Sequence, residues 1–178
     1  MRLVLFRHGP AGERDASRWP DDGKRPLTSK GVVKTREAAR GLARLEKGIS
    51  LVLTSPLVRA EQTAQILRET LGEKAKLVTL EDLAPGGSNR AVIAHLSELP
   101  ATRTVALVGH EPGLGKLAAL LALGSGTTGE IRLKKAGATA LEFDGTARAG
   151  GGDLVWLLPR RLLAKHAKGR KKAAKEAS

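Results

Sequence analysis

At 178 residues and 41% hydrophobic, the chain is sized for one domain with a real core, and no stretch of it is long and apolar enough to span a bilayer. It has no cysteine, which excludes disulfides, thiolate metal sites and a cysteine nucleophile. The formal net charge of +13 fits an anionic substrate or partner without demanding one, and scarce aromatics leave the core to Leu, Val, Ile and Ala.

The pattern predicts a first strand over 3–6, the short apolar run Leu3-Val4-Leu5-Phe6. Arg7-His8-Gly9 follows it directly. A polar loop with Trp19 then runs over 10–28, and such loops commonly shape an entrance to a site. A helix over 29–46 has Thr28 or Ser29 as its cap, Gly48 at its end, and Val32, Ala39, Leu42 and Leu45 on one face. A strand over 51–54 leads into Ser55-Pro56-Leu57-Val58-Arg59-Ala60-Glu61-Gln62-Thr63 and a helix over 56–71. A strand over 76–80 precedes a helix over 89–98 that Ser88 caps and Pro100 terminates. A strand over 104–108 leads to Gly109-His110-Glu111-Pro112 and a helix over 113–123. Strands over 138–143 and 153–157 are joined by a Gly-rich link, so one of them is expected to run antiparallel.

This alternation predicts an α/β three-layer sandwich, a mostly parallel central sheet with helices on both faces. Residues 1–159 are expected to form the domain. Residues 160–178 carry eight Lys or Arg against one Glu and read as a basic C-terminal tail. Such a tail is a solvated or fraying end, or else an electrostatic contact for nucleic acid, polyphosphate or an acidic partner. The opening residues lack a signal peptide's longer apolar region, so a cytoplasmic location without membrane contact is expected.

Three predicted strands thus end close to an Arg or a His, and the carboxyl ends of strands are where open α/β sheets bind ligands. Two arginines, Arg7 and Arg59, and two histidines, His8 and His110, converge on one edge. Guanidinium forks match phosphate oxygens in a bidentate way, and a neutral imidazole is a nucleophile. Arg59 stands in the first turn of its helix, where a cation is disfavoured and a bound phosphate would reverse the sign of the problem. Each residue alone has a plainer explanation: a strand-end histidine, a surface ion pair with Glu61 or Glu69, a turn cap. His95 and His166 receive no role.

The motifs quoted above, with Arg25-Pro26-Leu27-Thr28-Ser29-Lys30-Gly31 and Leu80-Glu81-Asp82-Leu83-Ala84-Pro85-Gly86, resemble the histidine phosphatase superfamily, and within it the small SixA-type phosphohistidine phosphatases. They fall in that family's order over about two-thirds of the chain. The resemblance implies a phosphoglycerate-mutase-like fold without a large lid insertion, hence an open site suited to a phosphorylated histidine of a partner protein. It implies that His8 attacks phosphorus, that Arg7, Arg59 and His110 hold the oxygens, and that neither metal nor other cofactor is needed. Larger members place a glutamate after the third strand as general acid. Asp82 occupies that place here, with Glu81 an adjacent choice, and both read equally as solvent-facing turn residues. Arg25 and Thr28 are candidate substrate contacts, although a salt bridge and a helix cap explain them as well.

Two rivals stand beside this reading. A small phosphomonoester could be the substrate of the same chemistry, or the chain could be an anion-binding module acting through its basic tail. Gly124-Ser125-Gly126-Thr127-Thr128-Gly129 fits a dinucleotide-binding pattern but follows a predicted helix rather than a strand, and Gly113-Leu114-Gly115-Lys116 lacks the spacing of a phosphate-binding Walker loop.

Overall fold

The computed structural model of the chain describes residues 1–72 and 75–167. Its elements run β1 (Arg2–Arg7), α1 (Ser29–Leu45), β2 (Ile49–Thr54), α2 (Val58–Leu71), β3 (Lys76–Thr79), α3 (Asn89–Ser97), β4 (Thr104–Gly109), α4 (Gly113–Leu123), β5 (Ala138–Glu142), β6 (Asp153–Leu158) and α5 (Arg160–Ala167). Short 3₁₀ turns at Asp22–Lys24 and Glu81–Leu83 interrupt the loops.

The six strands form one sheet in the order β3-β2-β4-β1-β5-β6. β1, β2, β3 and β4 pair in parallel, and β5 runs antiparallel to both of its neighbours. The expected mixed sheet is therefore realised, with β5 as its one reversed strand.

Alternation along β1 divides the core into two layers, because successive strand side chains point to opposite faces. Leu3 and Leu5 join Leu96 of α3 and Leu117 and Leu121 of α4. Val4 and Phe6 join Ala38 and Leu42 of α1, Ala60 and Leu67 of α2, and Leu163 of α5. Helices therefore cover both faces. The predicted caps hold: Thr28 Oγ1 accepts the Gly31 N–H at 2.9 Å and Ser88 Oγ accepts the Ala91 N–H at 3.2 Å. Gly48 sits at φ +86° in the turn after α1.

The segment read as a tail from residue 160 begins instead as helix α5. Leu163 is fully buried, and α5 lies so close to α1 that a Cβ on Gly41 would stand 1.7 Å from the Leu163 carbonyl oxygen. Arg44 donates to the His166 carbonyl at 3.2 Å, and Arg160 pairs with Glu37 at 3.6 Å. One apolar anchor on a strongly charged helix suffices because a glycine opposite it lets the backbones meet. The rest of the basic segment, 168–178, lies outside the described residues.

Among the described residues, no helix is long and apolar enough to cross a membrane.

Candidate active site

Register brings the two motif histidines together. β1 and β4 pair with Arg7 opposite Gly109, and the His8 N–H donates to the Gly109 carbonyl at 3.0 Å. His8 and His110 thus leave neighbouring strands side by side, with ring centroids 4.9 Å apart. β2 contributes Ser55, whose N–H donates to the Val108 carbonyl at 3.0 Å and whose Oγ lies 2.9 Å from His110 Nε2. The carboxyl ends of β1, β2 and β4 therefore form one shelf.

Gly9 permits the chain to leave that shelf. A Cβ there would lie 1.9 Å from Thr35 Oγ1 of α1, so only glycine fits between β1 and the helix. The Gly9 N–H donates to Thr63 Oγ1 at 3.0 Å, and Thr63 Oγ1 donates to the Arg59 carbonyl at 2.8 Å. The Thr of the second motif thereby locks the first turn of α2 against the first motif.

His8 is 6% exposed, and its Nδ1 lies 2.7 Å from the Gly9 carbonyl. A carbonyl only accepts, so the ring proton resides on Nδ1 and the Nε2 lone pair is free. Burial, followed by the charges of Arg59, Arg7 and Lys135, lowers His8 to about 4. The ring is neutral at pH 7, as a nucleophile must be.

His110 is lowered to about 3 by burial, by His8 and by the same two arginines. It is therefore a neutral hydrogen-bond donor here rather than an imidazolium. Ser55 Oγ accepts the Leu57 N–H at 3.3 Å and is free to donate to His110 Nε2. With Ser55 as the donor the His110 proton sits on Nδ1, a buried nitrogen without a partner among the described residues.

The arginines are held from behind. Arg7 Nη1 donates to the Leu133 carbonyl at 2.8 Å. Arg59, 4% exposed, donates through Nη1 to the Asp22 carbonyl at 2.7 Å and pairs through Nη2 with the Asp22 carboxylate at 3.1 Å. Among the described residues, nothing partners the buried Nε atoms of both arginines or the buried His110 Nδ1. Buried donors normally find acceptors, and the charges of both arginines act on His8 and on His110. Burial lowers both guanidinium pKa values from a starting point so high that both remain charged.

The structure thus joins Arg7, His8, Arg59 and His110. Three other sequence candidates hold different bonds. Arg25 gives Nε to Asp22 at 2.8 Å and Nη1 to the Gly12 carbonyl at 2.6 Å, so it meets the site only through the carboxylate it shares with Arg59. Thr28 is the cap of α1. Asp82 Oδ1 accepts the Ser88 N–H at 3.2 Å on the turn ahead of α3.

Asp22, and the supporting roles of Ser55 and Thr63, escaped the sequence reading. Asp22 carried one available signal: it lies three residues before Arg25, a spacing that allows an ion pair. The Arg25 hydrogen bond and the nearby Arg59 charge hold its carboxyl below the usual range. Among the described residues, no group of three His, Cys, Asp or Glu side chains is placed to hold a metal ion.

Residues 3–84 match the family model for the histidine phosphatase superfamily (branch 1). The chain is 42% identical to an uncharacterised protein of Picosynechococcus sp., over 83% of this chain and 88% of that one. It is 34% identical to the phosphohistidine phosphatase SixA of Escherichia coli, over 70% of this chain and 76% of that one. Among solved structures, the protein histidine phosphatase SixA complexed with tungstate superposes with a TM-score of 0.78 at 28% identity, over 92% of this chain and 99% of that one. Phosphoglycerate mutase shares the architecture, and this chain carries no large insertion upon it.

Proposed function

Because the chain belongs to the histidine phosphatase superfamily, we propose that it removes the phosphoryl group from phosphohistidine on a partner protein, through a transient phosphoryl-His8. The observation that carries this reading is the Nδ1 contact of His8 with the Gly9 carbonyl at 2.7 Å, which leaves Nε2 as the free nucleophile.

In the first step His8 Nε2 forms a bond to phosphorus as the bond to the leaving nitrogen breaks in line. Arg7, Arg59 and His110 Nδ1 stabilise the oxygens as charge spreads over them. A phosphoimidazole protonated on its remote nitrogen departs as neutral imidazole, so no acid is required. A water then attacks phosphorus, the phosphorus–Nε2 bond breaks, and phosphate leaves. For a phosphomonoester, whose alkoxide needs a proton, the proposed donor is Asp82, or Glu81 beside it. Two guanidinium groups supply the positive charge that a metal ion supplies elsewhere, so the scheme is metal-independent. The absence of a large inserted lobe supports a substrate presented on a protein surface.

The test is to incubate the protein with a phosphohistidine protein and with an aryl phosphate, and to trap acid-labile, base-stable label. Label is expected on His8, and His8→Ala is expected to lose both label and turnover. Normal turnover by that variant overturns the mechanism, and loss of activity on chelation overturns metal independence. A panel including sugar and nucleotide phosphates reads the substrate. A higher kcat/KM for one of these small phosphomonoesters would replace the protein substrate while keeping the chemistry.

A further inference from the structure

We infer that Glu111 is a positioning residue that sets the guanidinium of Arg7 through the backbone of Leu133. The inference rests on the phosphoryl-transfer reading above and adds a residue to it.

Glu111 follows His110 directly, so its backbone is tied to the end of β4. Its Oε1 accepts the Leu133 N–H at 2.7 Å, and the carbonyl of the same Leu133 accepts Arg7 Nη1 at 2.8 Å. One fully buried residue thus relays the position of a carboxylate to the position of a phosphate-binding cation. Space for the carboxylate comes from Gly115 in the first turn of α4, where a Cβ would lie 2.7 Å from Glu111 Oε2. Among the described residues Glu111 Oε2 meets no donor in full hydrogen-bond geometry, although the Gly115 backbone N–H favours its charge, so the side chain is held by its bond to Leu133 and by its close contact with Gly115.

The stretch from Ile131 to Ala136 crosses the end of β1 and is fastened at three places. The Ile131 N–H donates to the Gly115 carbonyl at 2.9 Å. The Ala136 N–H reaches the carbonyls of Arg7 and His8 at 3.2 and 3.1 Å, with Ala136 held at φ +54°. Of the three fastenings, only the one at Leu133 uses a side chain. With Nη1 committed to Leu133, the direction of Arg7 Nε, a buried donor without a partner among the described residues, is set by where that carbonyl stands. A displacement of about 1 Å in a positioning group is enough to cost on the order of 100-fold in rate. Burial raises the Glu111 carboxyl above its usual range, while the Leu133 N–H and the Arg7 charge oppose that rise.

The test compares the full-length protein with Glu111→Gln, Glu111→Asp and Glu111→Ala, reading kcat/KM on an aryl phosphate and the Kd of orthovanadate. The amide oxygen of Gln can keep the Leu133 bond, whereas Asp is one methylene too short. Glu111→Ala and Glu111→Asp are expected to lose about 10- to 100-fold in kcat/KM and to bind vanadate about 10-fold more weakly, and Glu111→Gln to stay within about three-fold. In an Arg7→Ala background, Glu111→Ala is expected to change vanadate affinity by less than about two-fold, because the group it positions is gone.

An unimpaired, folded Glu111→Asp or Glu111→Ala overturns the inference. So does a Glu111→Gln as weak as Glu111→Ala, or an undiminished effect without Arg7. His8→Ala separates the two levels: turnover by that variant refutes the phosphoryl-enzyme, while the vanadate cycle still tests the coupling of Glu111 to Arg7.

Discussion

His8 and His110 stand with their imidazole centroids 4.9 Å apart because one backbone group, the Gly109 carbonyl, accepts the N–H of the first and immediately precedes the second. Two buried neutral rings between two guanidinium groups make the site a place where positive charge is already in excess. That excess is compatible with an oxyanion and hostile to a proton.

The consequence for stability is a pH dependence with a definite sign. An unfolded histidine takes up its proton near pH 6.5, while the fold holds His8 to about 4. The unfolded chain therefore binds more protons across that window, and stability, full above pH 6.5, declines as pH falls to about 4. Denaturant unfolding at intervals from pH 8 to 4 should show a decline that is smaller in His8→Ala by on the order of 3 kcal/mol. Parallel curves for the two proteins would contradict a neutral, buried His8.

Asp22 shares its carboxylate between Arg25 at 2.8 Å and Arg59 at 3.1 Å. Asp22→Ala leaves these cations without their counter-charge, and a loss of about 1–3 kcal/mol is expected. Inorganic phosphate should raise the melting temperature of this variant more than that of the parent, since the anion replaces the missing charge beside Arg59. An equal response would mean that phosphate binds elsewhere.

Ser55→Ala removes the one hydrogen-bond partner that the His110 ring has among the described residues. The ring is then free to take the other tautomer and to turn away from the oxyanion. A fall of about 10-fold in kcat, near 1.4 kcal/mol of transition-state stabilisation, is expected with KM little changed. A rise in KM at constant kcat would place Ser55 in ground-state binding instead.

Gly41→Ala should separate α5 from the chemistry. The added methyl would meet the Leu163 carbonyl at 1.7 Å, so α5 has to lift from α1. A lower melting temperature and faster proteolysis between Arg160 and Ala167 are expected, with kcat/KM on an aryl phosphate preserved. A parallel loss of activity would show that α5 supports the site.

Much of this protein was legible along the chain. Strand and helix periods are local, so the elements and the placing of Arg7, His8 and His110 at strand ends followed from neighbouring residues alone. Arg59 was legible for a related reason, since a cation in a helix's first turn asks for an anion. The motifs also carried Thr63 and Glu111, yet their work could not be read there. Thr63 bonds Gly9, 54 positions away, and Leu133 reaches Arg7 from 126 positions away. Such contacts depend on how loops fold back over a sheet, and loop paths have no period to betray them. Helix α5 was hidden by its charge, because a run of Arg and Lys looks solvated until Gly41, more than a hundred residues earlier, is seen to admit Leu163. Local patterning thus settles which side chains reach the carboxyl edge of the sheet. Long-range hydrogen bonds and close backbone approach settle which atoms of those side chains remain free to act, because only the assembled molecule shows what each one is already bonded to.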